Sequence, residues 1–352
     1  MAANKKWMVY GATGYTGQLI AREAVAKGEK PTLAGRNADK VRPLAEELGL
    51  PWAAFSVDDS DAVRAALKDH ELVLSVAGPF SATAEQMMQA CIETGTHYLD
   101  VTGEITVFEL AASMGDAAAA AGVTLMPGVG FDVVPSDCLA AHTAARAKDP
   151  QSLVIAIKGL GGPSQGTAKT AVESLGTGTM ARKGGKITTF PAGKLRRDID
   201  MGEGPEPFLG VSWGDVSTAH YSTGINDIEV YFPNAGPIKS MTTMSRFLGP
   251  IMGSNTVKNF LKKQIDKMPA GPTDAERDRD TSLLLAVVVD SDGTAYKSKL
   301  ATPNGYTLTA ESAVKSAMLK LESNGKPGFQ TPSMAFGADF VQTLSGCSLE
   351  DL

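Results

Sequence analysis

Short apolar runs alternate with amphipathic stretches through the first third of the chain. Trp7 to Tyr10 is apolar and aromatic, which predicts a buried strand. The stretch QLIAREAVAKG follows with apolar residues at helical spacing and stops at Gly28. The same rhythm recurs five times. Pro31 to Ala34, Phe55 to Val57, Leu72 to Val76, His97 to Val101 and Val123 to Met126 read as strands. Between them, ADKVRPLAEELG, the stretch from the caps at Asp58 to Ser60 through Leu67, Ser81 to Thr94 and Val107 to Ala121 read as helices. Strands alternating with helices of this length predict right-handed βαβ units.

Such units build a parallel, doubly wound sheet of the Rossmann type. After about residue 150 the rhythm changes. SLVIAIKGLGG, FLGVSWGDVSTAHYS and NDIEVYFPN read as longer strands, and LLLAVVVDSDGTAYKSKLATPNGYTLT as two strands joined at Asp292-Gly293, a hairpin dipeptide. Long strands without intervening helices predict a mainly antiparallel sheet in a separate α+β domain. Residues 179–206, rich in Gly, Lys and Arg, read as a long loop. The expected division is a Rossmann domain over 1–135 and an α+β domain for substrate and oligomer contacts over 136–325, with a homodimer as a candidate assembly. A C-terminal segment over 326–352 is able to return to the first domain. A chain of 352 residues exceeds the ~250–300 that one core supports.

The glycines Gly11, Gly14 and Gly17 stand between the first strand and the first helix. Gly11 permits a tight turn, Gly14 lets backbone approach a pyrophosphate, and Gly17 permits close helix–strand packing. Thr13, Tyr15 and Thr16 belong to the same loop and join the glycines as cofactor-binding candidates. The second strand ends Leu33-Ala34-Gly35-Arg36-Asn37. An NAD site places an acid there for the ribose hydroxyls. Arg36 beside Asn37, with Lys40 one turn on, suits a 2′-phosphate instead, so the expected cofactor is NADP(H). The plainer reading of Arg36 is a solvated surface residue. Ala77, Gly78 and Pro79 follow the fourth strand and suit a loop lying over the cofactor.

Charge and cysteine usage narrow the class. The formal net charge of −6, from 33 Lys+Arg against 39 Asp+Glu, excludes a nucleic-acid protein, and 43% hydrophobic residues exclude disorder. Cys91, Cys138 and Cys347 form no CxxC pair, which points to a reducing, cytoplasmic compartment. The N-terminus enters a strand with no room for a signal peptide, and the longest apolar run, Leu283 to Val289, falls short of a membrane span. No His, Cys and carboxylate spacing matches a metal site.

A glycine loop of this kind also opens the short-chain dehydrogenases, which need Tyr with Lys four residues on. None of the seven tyrosines has it. GATGYTG, AGRN, SVAGPF, GTHYLDVTGE and GVGFDVVPSD, in that order, resemble the saccharopine dehydrogenase-like oxidoreductases, and NGYTLTAESAV and PGFQTPSMAFGADF resemble the trans-acting enoyl reductase branch. The resemblance implies a Rossmann domain, a second α+β domain and NAD(P)-dependent reduction. The substrate it implies is an acyl or other small molecule: an activated C=C bond of a lipid-type enoyl group, or a C=N bond as in imine-reducing members. A third reading is an NADPH-binding protein at a lipid surface without turnover.

For the proton, His97-Tyr98-x-Asp100-x-Thr102-Gly103-Glu104 leaves a strand at the sheet's carboxyl edge. Alternation places Tyr98, Asp100 and Thr102 on one face. Tyr98 and Glu104 are candidate donors, with Asp100 an orienting group; packing of Tyr98 and a turn cap at Asp100 are the plain alternatives. Asp132 is a third candidate, because Ser136 or Asp137 can cap a helix from Cys138 to Ala147 and Asp132 has no such duty. Cys138 reads as a small buried hydrophobe and His142 as structural. Ser164 to Thr167 reads as an N-cap or as a substrate contact. An imine-type dehydrogenase should carry a carboxylate-binding arginine pair, and Arg196-Arg197 is the only adjacent one. Residues 243–268 carry Arg246, Lys258, Lys262, Lys263 and Lys267 against Asp266, with Val257, Phe260, Leu261 and Ile265 at helical spacing. Such a helix is a candidate for contact with a membrane surface or an acyl carrier, or a solvated cover of the second domain.

Overall fold

The structure is a computed structural model describing residues 6–173, 175–235, 254–323 and 325–352. The chain divides into two compact units, Met1–Val134 with Tyr306–Gly337, and Pro135–Gly305 with Ala338–Leu352.

The first unit is built on a parallel sheet of seven strands. Their order in space is Gly328–Phe329, Thr124–Met126, His97–Asp100, Leu72–Ser75, Trp7–Tyr10, Thr32–Gly35 and Trp52–Ala54. Trp7–Tyr10 is an interior strand and wholly buried, as its unbroken apolar run requires of a strand covered on both faces. On one face, Ile20, Ala21 and Ala24 of helix Tyr15–Ala26 pack in one cluster with Ala310, Ala313, Val314 and Ala317 of helix Gly305–Glu322. The other face carries Val63, Leu67, Met87, Met88, Cys91, Val107 and Ala111.

Two features of this unit differ from the sequence reading. The third strand is Trp52–Ala54, and Phe55 and Val57 are buried loop residues beyond its end. Phe55 lies against Tyr10, with ring centroids 5.0 Å apart, and its carbonyl accepts the Tyr10 hydroxyl. The apolar triplet marked burial, which a loop folded over a sheet end also needs. The helix Gly305–Glu322, assigned from sequence to a domain over 136–325, lies with the first unit from Tyr306 onward. Of the segment 326–352, only the part to Gly337 lies there.

The second unit holds a nine-stranded mixed sheet among the described residues. Its main path runs Arg196–Asp200, Pro205–Gly210, Asp227–Pro233, Pro150–Lys158, Thr281–Asp290, Ala295–Pro303 and Ser348–Asp351. Every neighbour pair is antiparallel except Asp227–Pro233 with Pro150–Lys158. The hairpin at Asp292-Gly293 forms as expected, with Gly293 at φ +86°. The region 179–206 is not a loop. Thr179–Lys183 and Lys186–Phe190 form a hairpin closed by Gly184-Gly185 at φ +53° and +78°, and Arg196–Asp200 is an edge strand. Two glycines at positive φ are the two-residue turn that strand twist favours, so the glycine content marked turns between strands. FLGVSWGDVSTAHYS is likewise split, into the end of strand Pro205–Gly210 and helix Asp215–Thr223, which stops at Gly224 with φ +75°. The helix read as Cys138 to Ala147 begins at Val134 and ends at Ala144, so Ser136 and Asp137 are inside its first turn rather than capping it.

Candidate active site

The glycine loop has the shape of a phosphate cradle. Gly11 turns at φ +88°, and a Cβ there would lie 2.8 Å from the amide nitrogen of Ala77. A Cβ on Gly17 would press on the Gly11 carbonyl and lie 2.8 Å from Ala12 Cα. Gly14 has only the Gly11 carbonyl near, at 3.4 Å, so its outer side is open to an incoming group. Gly14 caps helix Tyr15–Ala26 without a side-chain cap, and no acid stands in the first turn. The leading N–H groups of a helix have no partner within it and attract an anion. The loop therefore fits a dinucleotide's pyrophosphate, and Thr13, Tyr15 and Thr16 stand around the same opening in chain order.

Arg36 follows strand Thr32–Gly35 and is exposed, with no ion pair among the described residues; Lys40, also exposed, stands in the first turn of helix Ala38–Leu48. Asn37 caps that helix, its Oδ1 accepting from Asp39 N at 2.8 Å. Asn37 thus presents the neighbouring cations, with its own carbonyl oxygen already engaged.

Ala77, Gly78 and Pro79 lie between strand Leu72–Ser75 and helix Phe80–Thr94, and the Ala77 carbonyl accepts from Thr83 Oγ1 at 2.8 Å. The helix lacks a cap of its own. Glu104 supplies one from the next βα loop: Oε1 accepts from Phe80 N at 2.8 Å and Oε2 from Ser81 N at 2.9 Å. Both oxygens of Glu104 are committed as acceptors of backbone N–H. These contacts give Glu104 a capping role at the start of helix Phe80–Thr94.

Tyr98 is sealed in the sheet. It has no exposed surface, and its hydroxyl donates to Asp100 Oδ2 at 2.7 Å. Burial first, then the adjacent Asp100 charge, push the Tyr98 phenol well above its ordinary range. Its fully enclosed hydroxyl serves Asp100, against the reading of Tyr98 as the donor to a substrate. Asp100 is itself fully buried, and its Oδ1 accepts from Thr102 N at 2.9 Å and Gly128 N at 2.8 Å. Burial raises its carboxyl to about 6. Asp100 ties the end of its strand to the turn after strand Thr124–Met126, a positioning role.

Asp132 differs from both. It is half-buried in the turn after Gly130, its carboxylate pressed against the Gly103 backbone, where a Cβ would lie 2.7 Å from Oδ2. Its side chain has no hydrogen bond among the described residues, and burial raises it to about 7. A reachable carboxyl titrating near neutrality, without a fixed partner, can both hold and release a proton at physiological pH.

The loop carrying Asp132 is tied down by residues that sequence reasoning did not single out. Phe131 N donates to Thr309 Oγ1 at 2.9 Å, and Ser312 Oγ donates to the Val129 carbonyl at 2.8 Å. Tyr306, placed by the sequence in the second hairpin strand, is in the first turn of Gly305–Glu322, and its ring meets Tyr15 edge-on at 5.1 Å. The available signal was the spacing of Tyr306, Thr309 and Ser312, three residues apart, which lines them along one helix face.

In the second unit, Ser164 Oγ accepts from Thr167 N, the N-cap role. Arg197 is held by Glu229 Oε2 at 2.9 Å and by the Tyr231 hydroxyl at 3.1 Å, so Arg196-Arg197 is no free carboxylate clamp. Val257, Leu261 and Ile265 of helix Asn255–Ile265 pack on Ala168, Val172 and Leu175, while Lys258 and Lys262 bind Glu173. The apolar face is therefore covered, leaving Phe260, Lys263, Lys267 and Met268 outward. Arg246 and the rest of 243–253 lie outside the described residues. Cys138 is buried and its thiol pushed well up, as a small core residue requires. His142 Nε2 meets Asp351 Oδ1 at 3.0 Å, a structural contact. Among the described residues no helix is long and apolar enough to cross a membrane.

Strand order, glycine cradle and cationic second-strand end fit a dinucleotide-binding domain. Residues 7–126 match the family model of the saccharopine dehydrogenase NADP binding domain. A saccharopine dehydrogenase-like oxidoreductase of Mus musculus is 33% identical over 150 residues, covering 37% of this chain and 35% of that protein. A trans-acting enoyl reductase of Mycobacterium leprae is 34% identical over 139 residues, covering 37% of this chain and 33% of that one. These two matches thus span about a third of the length of either relative. A putative trans-acting enoyl reductase of Mycobacterium tuberculosis is 24% identical over 97% of this chain and 96% of its own. The apo saccharopine dehydrogenase (L-Glu forming) of Saccharomyces cerevisiae has the same fold, with a TM-score of 0.65 at 12% identity, covering 99% of this chain and 100% of that one.

Proposed function

We propose that the chain is an NADPH-dependent reductase of an activated C=C bond in a lipid-type acyl substrate. The observation that carries this reading is Asp132, a reachable carboxyl near neutrality on the carboxyl edge of the dinucleotide-binding sheet, where ligands of such sheets bind. The near full-length similarity to a protein named as an enoyl reductase supports the choice of substrate class.

Gly11, Gly14 and Gly17 admit the pyrophosphate, the first turn of helix Tyr15–Ala26 faces it, and Arg36 with Lys40 receives the 2′-phosphate. Bound NADPH supplies a hydride. Asp132 gives its proton from the carboxyl to the α-carbon, balancing the electron pair that the reduction leaves there, and is reprotonated from water. Asp100 and Glu104 hold the loops around it.

The C=N reading is weakened by the occupied Arg197, since an amino-acid imine needs cations free for its carboxylate. The outward Phe260, Lys263, Lys267 and Met268 are what remain of the surface for an acyl carrier or membrane. The test is NADPH oxidation, followed at 340 nm, with trans-2-octenoyl thioesters against a panel of 2-oxo acids plus amines. We expect turnover with the enoyl thioester alone. Turnover confined to the imine-forming pairs would overturn the reading.

A further inference from the structure

The motif around Tyr306 has no role in the reaction as drawn so far. Its three functional side chains recur every third residue, and all three meet a loop of the cofactor and proton site. Tyr306 meets Tyr15 on the glycine loop. Thr309 accepts the buried Phe131 N–H, and its methyl group fills the space in which a Cβ on Gly130 would lie at 2.9 Å. Ser312 donates to the Val129 carbonyl. The loop is gripped on either side of Gly130 by one helix face, while Gly128 N is held by Asp100. Asp132 is the next residue after Phe131, so the direction of its carboxyl follows the Phe131 peptide.

We propose that Tyr306, Thr309 and Ser312 form a brace that keeps the glycine loop and the Asp132 loop in fixed register, with Thr309 the positioning residue for the Asp132 carboxyl. The catalytic meaning of the brace rests on the reading of Asp132 as the proton donor; its existence does not. The helix is held firmly because Ala310, Ala313, Val314 and Ala317, beside this stripe, pack in one buried core cluster with Ala12, Ile20 and Val129. A hydroxyl at position 309 is needed because a buried N–H without an acceptor costs far more than an ordinary hydrogen bond contributes.

The test compares Thr309→Val, which keeps the shape and removes the acceptor, with Thr309→Ser, which keeps the acceptor. Amide exchange of the peptide containing Phe131 is read by mass spectrometry. Titration of Asp132 is read by carbon NMR of aspartate-labelled protein, the resonance being assigned by its loss in Asp132→Asn. In T309V we expect roughly tenfold faster exchange at Phe131. The Asp132 midpoint should fall by about one pH unit, because a loosened loop admits water and relieves the desolvation that raises it. T309S should restore both. An unmoved Phe131 amide in T309V, or equal defects in T309S and T309V, would overturn the brace. Full NADPH turnover of trans-2-octenoyl thioester by D132N would overturn its catalytic meaning alone, so the two failures are told apart.

Discussion

The Glu104 carboxylate caps a helix that begins 24 residues before it, accepting the Phe80 N–H at 2.8 Å and the Ser81 N–H beside it. Helix Phe80–Thr94 starts at the loop Ala77-Gly78-Pro79, so this one side chain ties the proton-site loop to the proposed cofactor loop. Glu104→Ala should destabilise the protein by about 1 kcal/mol, the typical worth of a lost cap, and Glu104→Gln by less. Denaturant unfolding measures both. A stable E104A with an altered pH–rate profile would make Glu104 the acid instead.

Arg36 is exposed and unpaired by any acid among the described residues, so replacing it costs the fold little. Arg36→Ala should weaken NADPH binding about 10- to 100-fold, the worth of one or two charge-assisted hydrogen bonds, and leave NADH binding unchanged. Fluorescence titration with each cofactor gives the ratio. Equal loss for both would place Arg36 away from the 2′-phosphate.

Asp132 must carry a proton to donate one. With burial raising it to about 7, its protonated fraction is nearly complete at pH 6 and falls about tenfold per pH unit above 7. The rate of reduction should follow that fall. Asp132→Asn should abolish the pH limb and lower kcat by roughly 100-fold or more, with NADPH affinity unchanged. A D132N enzyme that keeps the limb would exclude this carboxyl.

Asp100 has its folded value raised to about 6 from an ordinary 3.8 by burial. Between those values the folded state binds the extra proton, so this group's contribution makes the protein less stable as pH rises from about 4 to 6. Asp100→Ala leaves the Tyr98 hydroxyl and the Thr102 and Gly128 amides without an acceptor and should cost about 3 kcal/mol or more. Asp100→Asn keeps one oxygen, should cost less, and should flatten the pH dependence of the unfolding midpoint over that range.

The local pattern of the chain determined a good deal. A buried run ending in three glycines specified the first βα turn, because a positive φ at Gly11 and a Cβ-free Gly17 are demands of single positions. Alternation of strands and helices specified the parallel sheet, the dipeptide Asp292-Gly293 specified its hairpin, and Arg36 was visible because it stands where a strand ends. Asp132 stood out once its neighbours Ser136 and Asp137 were read as helix caps, although the helix in fact starts at Val134 and encloses them.

What only the tertiary structure decided are the relations between distant segments. Glu104 looks like an acid at a strand end in sequence, and only the helix it caps shows its oxygens to be occupied. Tyr98 alternates onto the correct face, yet whether that face is open or closed depends on helices packed over it. Thr309 and Phe131 are 178 residues apart, and Thr309 serves that loop because helix Gly305–Glu322 fills one face of the first sheet. Periodicity records which side of an element is buried. It does not record against what, because a hydrogen bond or a packed face closes through space between residues whose local sequences carry no mark of each other.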